Sequence, residues 1–248
     1  MAARRHIPET LRALTARVDR AVREYHMLEP GDRLLVAVSG GADSMSLLHL
    51  LAQRLTLYAP GSSLRAVYVD MGFGGAEEER CRIMHDWWRQ LGVSGRILRT
   101  TIGPLAHSAA NHENPCFLCS RIRRKQIFAA AELFGCNKIA FGHHKDDLVE
   151  TLLLNMLFNR EISTSPPVLS IQEGRYRLIR PLLYVEEAMV KAYAAEAGAP
   201  VFRQECPSDG SSSRQEVKEW LQALEAAHPG TRENLFQSMK RVKPDYLL

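Results

Sequence analysis

Short apolar runs alternate with longer stretches of helical periodicity over the first two thirds of the chain. The runs are rich in Val and Ile and bounded by Gly, Asp or Asn, which predicts strands at residues 33–38, 64–70, 95–101 and 137–142. Apolar positions that recur every three or four residues predict helices at residues 44–55, 76–91, 118–134 and 146–158. Strands alternating with helices predict an α/β fold, with a doubly wound parallel sheet covered by helices on both faces.

The segments on either side of this core are predicted to be mainly helical. An amphipathic helix begins at Pro8, and a strand is expected shortly before Cys206. A loop and two later helices are predicted at residues 163–170, 185–198 and 211–227. We therefore expect an N-terminal helical segment, a central α/β domain and a C-terminal helical extension, at residues 1–29, 30–205 and 206–248.

Composition narrows the class of protein. With 248 residues, of which 46% are hydrophobic, the chain can bury a sizeable core. No apolar run approaches the roughly 18 residues of a membrane span, so we expect a soluble, cytoplasmic protein with no membrane partner. The net charge of +4 permits a polyanionic partner without demonstrating one.

The segment "SGGADS" ends the first predicted strand and begins a helix. Gly40 and Gly41 let backbone N–H groups approach a ligand, and a loop at a helix N-terminus is an anion site. A bare Gly-Gly would more often be an ordinary strand-to-helix turn. The hydroxyls of Ser39 and Ser44 and the carboxylate of Asp43 favour phosphate binding with a bridging Mg²⁺.

A second polar segment, "GHHKDD", follows the fourth strand. The carboxyl ends of parallel strands share one edge of the sheet, so Gly142, His143, Asp146 and Asp147 should lie beside the loop and face the nucleotide. Asp70, at the end of the second strand, is a further candidate for ribose or metal contact. The alternatives are an ordinary strand-end histidine and carboxylates that only cap a helix.

Cys116 and Cys119 are three residues apart, and on a helix they can share one metal site. A helical wheel places Cys119 and Arg123 within the apolar face. A buried arginine needs an anionic partner, so we expect Arg123 to point toward the ligand site. Outside the apolar face fall Arg121, Arg124 and Lys125, which face either solvent or nucleic acid.

Two thiolates do not complete a metal site, and Cys206 is the best candidate for a third. Three interpretations remain open: a zinc site completed by His107 or His112, a dithiol, and an iron–sulfur cluster with three cysteine ligands. Spacing does not choose among them. Cys81 and Cys136 have no nearby partner in sequence, and we expect them to be packed core thiols.

The loop "SGGADS" resembles the pyrophosphate-binding loop of the N-type ATP pyrophosphatases, or PP-loop enzymes. In the thiolase branch the fourth loop position is often lysine, whereas here it is Ala42. Four further segments follow in the order and spacing of the tRNA 2-thiocytidine synthetase family: "PCFLCSRIRR", "IAFGHHKDDLVETLLLNMLFN", "SPPVL" and "IRPL". The resemblance covers most of residues 33–206 and implies a Rossmann-like sheet of the adenine nucleotide α-hydrolase type.

The resemblance implies an enzyme that uses ATP and Mg²⁺ to adenylate O2 of a pyrimidine in tRNA, expected to be cytidine, and then transfers sulfur. It also implies a [4Fe–4S] cluster on Cys116, Cys119 and Cys206, with one iron open to carry sulfur. Many relatives have a second Cys-x-x-Cys at the last site, where this chain has Asp209. The expected residue roles are ATP binding by the loop and its neighbours, catalysis by Arg123, Asp146 and Asp147, and tRNA binding by Arg121, Arg124 and Lys125.

The expected partners are tRNA, a sulfur donor such as a cysteine desulfurase or free sulfide, and a second copy of the chain. Three alternatives remain open. The chain could resemble tRNA lysidine synthetase, which needs no cluster, or it could be a PP-loop thiolase with a different substrate. It could also be a non-catalytic nucleotide-binding protein with structural zinc.

Overall fold

A six-stranded sheet forms the centre of the part of the chain that the structure describes. The computed structural model describes residues 9–203, 205–210 and 212–246. Its strands are β1 (Arg33–Val38), β2 (Ser63–Asp70), β3 (Ser94–Arg99), β4 (Lys138–Ala140), β5 (Val168–Ile171) and β6 (Tyr176–Ile179). The strand order is β3-β2-β1-β4-β6-β5, and every pair is parallel except β5 with β6. The predicted α/β class and parallel sheet are confirmed.

Helices cover both faces of this sheet. They are α1 (Glu9–Glu24), α2 (Ala42–Tyr58), α3 (Glu77–Leu91), α4 (Ile102–Ala106), α5 (Pro115–Leu133), α6 (Lys145–Leu154), α7 (Glu187–Glu196), α8 (Ser213–Ala227) and α9 (Thr231–Ser238). A π-helical turn at Asn155–Asn159 extends α6, and a short 3₁₀ turn lies at Pro244–Tyr246. Within the described residues, no helix combines the length and hydropathy that crossing a membrane requires.

Alternate residues of the central strands enter two different cores. Leu34 and Val36 of β1 pack with one hydrophobic cluster, to which α1, α2 and α7 contribute, whereas Leu35 and Ala37 pack with α4 and α5 on the opposite face. Both faces of β1 are buried, which explains its continuous apolar run. The first cluster also includes Val217 of α8, so a helix of the predicted C-terminal extension shares the core of the sheet.

Two sequence predictions about the second half of the chain were wrong. The predicted loop at residues 163–170 includes the start of β5, which forms a hairpin with β6. The backbone is left-handed at Gln172 and Glu173 between these strands, where a typical hairpin turn would have Asn or Gly. The strand expected before Cys206 is absent from the described residues, because Phe202 donates its N–H to Gly40 O (2.9 Å) instead of joining the sheet.

Candidate active site

A cavity of about 520 Å³ opens at the carboxyl ends of β1, β2 and β4. In the sheet, β2 lies on one side of β1 and β4 lies on the other. The strand order therefore reverses between β1 and β4, and the cavity lies at this point. Open α/β sheets bind ligands at such a point. The predicted loop, the "GHHKDD" segment and the cysteine helix all contribute to its walls.

The loop at residues 39–44 is held in shape by its own serines. The Oγ of Ser44 accepts a hydrogen bond from Ser39 N (3.0 Å) and lies 3.0 Å from Ser39 Oγ. Helix α2 begins within this segment, at Ala42, with Gly41 as N-cap and no side-chain capping bond. Backbone N–H groups of the first turn are therefore available to an anion, and the helix dipole favours negative charge there.

Two glycines allow other segments to approach this loop closely. Gly40 has φ +89°, and a Cβ there would lie 2.5 Å from the ring of Phe202. A Cβ on Gly142 would lie 2.9 Å from the carbonyl carbon of Asp43 and 2.9 Å from Ser44 N. Gly142 therefore lets the end of β4 pack directly against the loop. Gly40 faces Phe202 in the segment that follows α7, and it is not among the residues that line the cavity.

His143 and Asp147 line the cavity from the β4–α6 connection. His143 accepts a hydrogen bond from Arg180 Nε (3.2 Å) at Nδ1, and its ring stacks on Phe141 at a centroid distance of 5.7 Å. Asp147 caps its own helix, since its Oδ2 accepts from His144 N (2.9 Å). The structure thus brings both residues beside the loop, as the sequence predicts.

Asp146 does not line this cavity. Its Oδ1 accepts a hydrogen bond from Arg232 Nη1 (2.8 Å), and its Oδ2 accepts from Glu187 N (2.8 Å). Successive residues on a helix point about 100° apart. The expectation that both carboxylates face the nucleotide therefore agrees with the structure for Asp147 and disagrees for Asp146, which connects α6 to α7 and α9.

Asp70 is also turned away from the cavity. Its carboxylate is fully buried and pairs with Arg80, with Nε–Oδ2 2.8 Å and Nη2–Oδ1 3.2 Å. Gly72 N and the Tyr68 hydroxyl donate to the same carboxylate. Burial alone would raise the pKa of Asp70, but these hydrogen bonds hold it below its ordinary value. The predicted nucleotide contact is corrected to an internal ion pair between β2 and α3.

Asp43 lies at the loop end of the cavity with Asp147 nearby. Burial raises the pKa of Asp43; His144 opposes the rise and the Asp147 carboxylate adds to it. A carboxylate whose charge is destabilised by burial and by a second carboxylate attracts a divalent cation, and oxygen ligands of this kind suit Mg²⁺. These two side chains are the candidates in the cavity for holding Mg²⁺.

The opposite end of the cavity is formed by the first turns of α5. Asn114 caps this helix, accepting hydrogen bonds from Cys116 N (3.0 Å) and Phe117 N (3.2 Å). Cys116 is exposed and Cys119 is half-buried, and both line the cavity. The capped first turn therefore presents the two thiols on the same side as the loop.

Helix α4 positions Cys119 and Cys206 together. Cys119 Sγ contacts Ile102 O at one end of α4 (4.0 Å), and Cys206 Sγ contacts Nε2 of His107 at the other end (4.0 Å). Burial raises the pKa of Cys119, and Cys206 and Cys116 add to the rise, in that order. Cys116 and Cys206 are thus both close enough to Cys119 to influence its thiol electrostatically.

The donor set fits a cluster better than a single metal ion. Among the described residues, no three His, Cys, Asp or Glu side chains converge closely enough to hold one ion. His107 is already bonded through Nδ1 to Gly103 O and through Nε2 to Ser208 Oγ, both at 2.9 Å, and His112 is exposed. In a cluster each cysteine binds a different iron, so the three thiols need not meet at one point.

Arg123 lies in the cavity wall, one turn after Cys119 on α5. Its Nε is excluded from solvent and, within the described part of the chain, has no hydrogen-bond partner. Burial lowers the pKa of this guanidinium, with Tyr68 opposing the effect. Unsatisfied buried donors are rare in folded proteins, and an anionic ligand would satisfy this one.

The other basic residues of α5 face outward, as the helical wheel predicts. Arg121 pairs with Glu113 (3.1 Å) and lies over the ring of Phe117. Lys125 is exposed, and Arg124 is exposed at the rim of the cavity. Of these three basic residues, Arg124 reaches the cavity that the thiols line.

Arg214 was not identified from the sequence. It extends from the first turn of α8 into the cavity wall, where its Nη1 lies 3.3 Å from Asp147 Oδ1 and its Nη2 donates to Thr151 Oγ1 (3.2 Å). The sequence contains no local motif around Arg214, and its proximity to the loop results entirely from the packing of α8 on α6.

Comparisons with known proteins agree with this geometry. The family described as the ATP_bind_3 PP-loop domain matches residues 12–223. The tRNA-cytidine(32) 2-sulfurtransferase of Anaeromyxobacter dehalogenans is 41% identical over 231 residues, covering 92% of this chain and 78% of that protein. A protein of the same name from Methylobacillus flagellatus is 36% identical over 237 residues, covering 95% and 77%.

A solved structure shares the fold. The U34-tRNA thiolase NcsA from Methanococcus maripaludis, determined with its [4Fe-4S] cluster, superposes with a TM-score of 0.77 at 22% identity. The superposition covers 96% of this chain and 82% of that chain. The NH3-dependent NAD synthetase from Campylobacter jejuni is a more distant neighbour, with a TM-score of 0.53 at 13% identity.

Proposed function

Because this chain belongs to the PP-loop family and, within it, to the family of tRNA-cytidine(32) 2-sulfurtransferases, we propose that it thiolates a cytidine of tRNA in an ATP-dependent reaction. One observation carries the proposal: a single cavity has a phosphate-type loop at one end and a pair of thiols at the other, with a third thiol nearby. Activation by ATP and delivery of sulfur therefore share one chamber.

The reaction proceeds in two displacements. The O2 atom of cytidine attacks the α-phosphorus of ATP, and pyrophosphate leaves. Hydrosulfide then adds at C2, the C2–O bond breaks, AMP leaves with the oxygen, and the sulfur loses its proton to solvent, which gives 2-thiocytidine. The first displacement makes the oxygen a good leaving group, which pyrimidine C2 otherwise lacks.

The loop and its neighbours bind the nucleotide. N–H groups at the start of α2 and the hydroxyls of Ser39 and Ser44 donate to the phosphates, and Asp43 with Asp147 holds Mg²⁺. An apolar group of cavity residues gives the adenine a surface away from water: Ala37, Met71, Ile127 and Phe141.

Arg123 is the catalytic cation of this proposal. It lines the same cavity as the thiols and the nucleotide loop, and its unpaired Nε donor is available for charge that develops on the α-phosphate. A donor that is already desolvated and fixed in place stabilises such charge without reorganisation. Asp146 has no role here, because Arg232 and the α7 backbone occupy its carboxylate.

Cys116, Cys119 and Cys206 would hold the [4Fe–4S] cluster, which supplies, when bound, an iron position open to sulfur. Both ring nitrogens of His107 are engaged elsewhere, which leaves three thiols as the donor set. A lysidine synthetase-like reaction would leave these thiols without a function. A nucleotide-binding protein with structural zinc would need side chains that converge on one ion, and no three His, Cys, Asp or Glu side chains of the described residues do so.

The proposed contacts with tRNA come from the outward-facing basic residues of α5. Arg121, Arg124 and Lys125 offer phosphate contacts for tRNA. We also propose cytoplasmic localisation, a cysteine desulfurase or free sulfide as sulfur donor, and a homodimer. A solvent-exposed apolar group at Met156, Leu157, Phe158 and Ile162 supports the homodimer.

An anaerobic assay with tRNA, ATP, Mg²⁺ and sulfide tests this function. We expect AMP, pyrophosphate and 2-thiocytidine, the last measured by nucleoside mass spectrometry. Cys206→Ala should lose both bound iron and 2-thiocytidine but should still bind ATP. Cys136→Ala, which removes a thiol buried in the core, is the matched control and should keep all three. Unchanged iron content and product in Cys206→Ala would refute the ligand assignment.

A further inference from the structure

The phosphates of ATP carry several negative charges, but the loop that would bind them offers little charge in return. In "SGGADS" the charged side chain is Asp43, which is itself negative, and the first residue of α2 is Ala42. The N-terminus of α2 contributes only about half an elementary positive charge. Apart from the Mg²⁺ proposed at Asp43 and Asp147, a cation for the phosphates must be a side chain from another part of the fold.

The described lining of the cavity includes three arginines. Arg123 and Arg124 are on α5, at the same end as the two thiols. Arg214 comes from α8, and it adjoins the loop end, since it also lines a smaller neighbouring cavity of about 260 Å³ together with Asp43 and Asp147. Among these cations, Arg214 is therefore the one associated with the loop.

We propose that Arg214 supplies the positive charge for the ATP phosphates that the loop lacks at Ala42, an inference that rests on the ATP-dependent function proposed above. The guanidinium is positioned for this, because its side chain is 47% exposed while Nη1 contacts Asp147 (3.3 Å) and Glu150 (3.5 Å). With five N–H donors, an arginine can keep such contacts and still bind a phosphate oxygen.

If Arg214 only connected α8 to α6, its removal would displace α8 and weaken the binding of every ligand alike. Helix α8 is anchored independently of Arg214, because Val217 and Leu221 are buried in the main core. Ser212 caps its first turn by accepting from Gln215 N. Removal of Arg214 should therefore leave α8 in place and change the charge at the loop.

The test measures binding to the full chain by titration calorimetry. The probes are α,β-methylene-ATP with Mg²⁺, which resists cleavage at the α–β bond, and adenosine, which has no phosphate. The variants are Arg214→Ala, Ala42→Lys and the double variant. Arg175→Ala is the control, because it removes an exposed arginine paired with Glu132 far from the cavity.

We expect Arg214→Ala to weaken binding of the ATP analogue about tenfold or more and to leave adenosine affinity unchanged. The double variant should recover most of the loss, because lysine at the start of α2 returns a cation to the loop. An analogue-specific loss supports the proposal, and recovery places the missing charge at the loop. Equal binding by wild type and Arg214→Ala, or equal loss for both probes, overturns it.

Failure of the proposed function gives a different result. If the wild-type chain does not bind the ATP analogue, the ATP-dependent function itself is refuted. If wild type binds the analogue and Arg214→Ala binds it equally well, only the assignment of Arg214 is refuted.

Discussion

Arg180 donates a hydrogen bond from Nε to Nδ1 of His143 across 3.2 Å. Because arginine has no acceptor, Nδ1 must accept, and the proton of the neutral ring is on Nε2. Burial lowers the pKa of His143 to about 4, with Asp147 opposing the shift and Arg180 adding to it. His143 is therefore neutral at pH 7 and offers the cavity an N–H donor.

The first prediction concerns the pH dependence of stability. In the unfolded chain the pKa of His143 is near 6.5, above its value in the folded protein. The contribution of neutral His143 to the free energy of unfolding is therefore complete above about pH 6.5 and is lost as the pH falls toward 4. On going from pH 7 to pH 5 in urea unfolding, His143→Gln should lose about 1 kcal/mol less than wild type. The full linkage value is about 2 kcal/mol, from about 1.4 kcal/mol per pH unit between about pH 6.5 and pH 5, and the expected value is smaller because the ring is half-buried.

His112→Gln is the control for this comparison, because it removes an exposed histidine outside the cavity. If His143→Gln and wild type lose the same free energy of unfolding on acidification, then the folded protein does not lower the pKa of His143.

The second prediction concerns the approach of β4 to the loop. Gly142→Ala places a Cβ 2.9 Å from the backbone of Asp43 and Ser44, closer than real contacts allow, so the loop must shift. We expect affinity for ATP to fall about tenfold or more, since a displaced loop misaligns its N–H donors. Gly75→Ala has no neighbour within 4 Å and should bind ATP normally. Normal affinity in Gly142→Ala would show that the loop tolerates displacement.

The third prediction separates stability from binding at Asp70. Asp70→Asn leaves the buried Arg80 without its charged partner and should lower the free energy of unfolding by about 3–5 kcal/mol. ATP affinity of the folded protein should not change. Asp86→Asn breaks an exposed pair with Arg89 and should cost less than about 1 kcal/mol. Lost ATP affinity with little loss of stability would instead favour a nucleotide contact for Asp70.

The fourth prediction is that replacing Arg123 lowers activity but raises stability. Arg123→Met removes a desolvated, unpaired donor and should raise the free energy of unfolding by about 1 kcal/mol. The rate of pyrophosphate release with tRNA should fall about 100-fold, because the developing charge loses its donor. Arg124→Met is the control, because Arg124 is the exposed neighbour of Arg123. It should change the free energy of unfolding by less than about 0.5 kcal/mol. A destabilised Arg123→Met protein would mean that another group in the fold already satisfies the guanidinium.

The sequence by itself determined the features that depend on short-range order. The predicted strands correspond to β1–β4 because short runs rich in Val and Ile are bounded by Gly, Asp or Asn, and the loop lies at the β1–α2 junction because glycine and serine specify that turn. The spacing of Cys116 and Cys119 likewise places both thiols on one turn of α5. These features need only the geometry of a strand, a turn or a helix.

Tertiary structure decided which polar side chains reach the cavity. Asp146 and Asp147 are adjacent in sequence, yet the rotation of α6 and the position of Arg232 direct one of them away. Asp70 ends a strand at the right edge, but Arg80 of the following helix binds it. Arg214 reaches the loop only because α8 packs on α6. Each outcome depends on how a residue of one element packs against a residue of another, and neither local periodicity nor motif spacing contains that information.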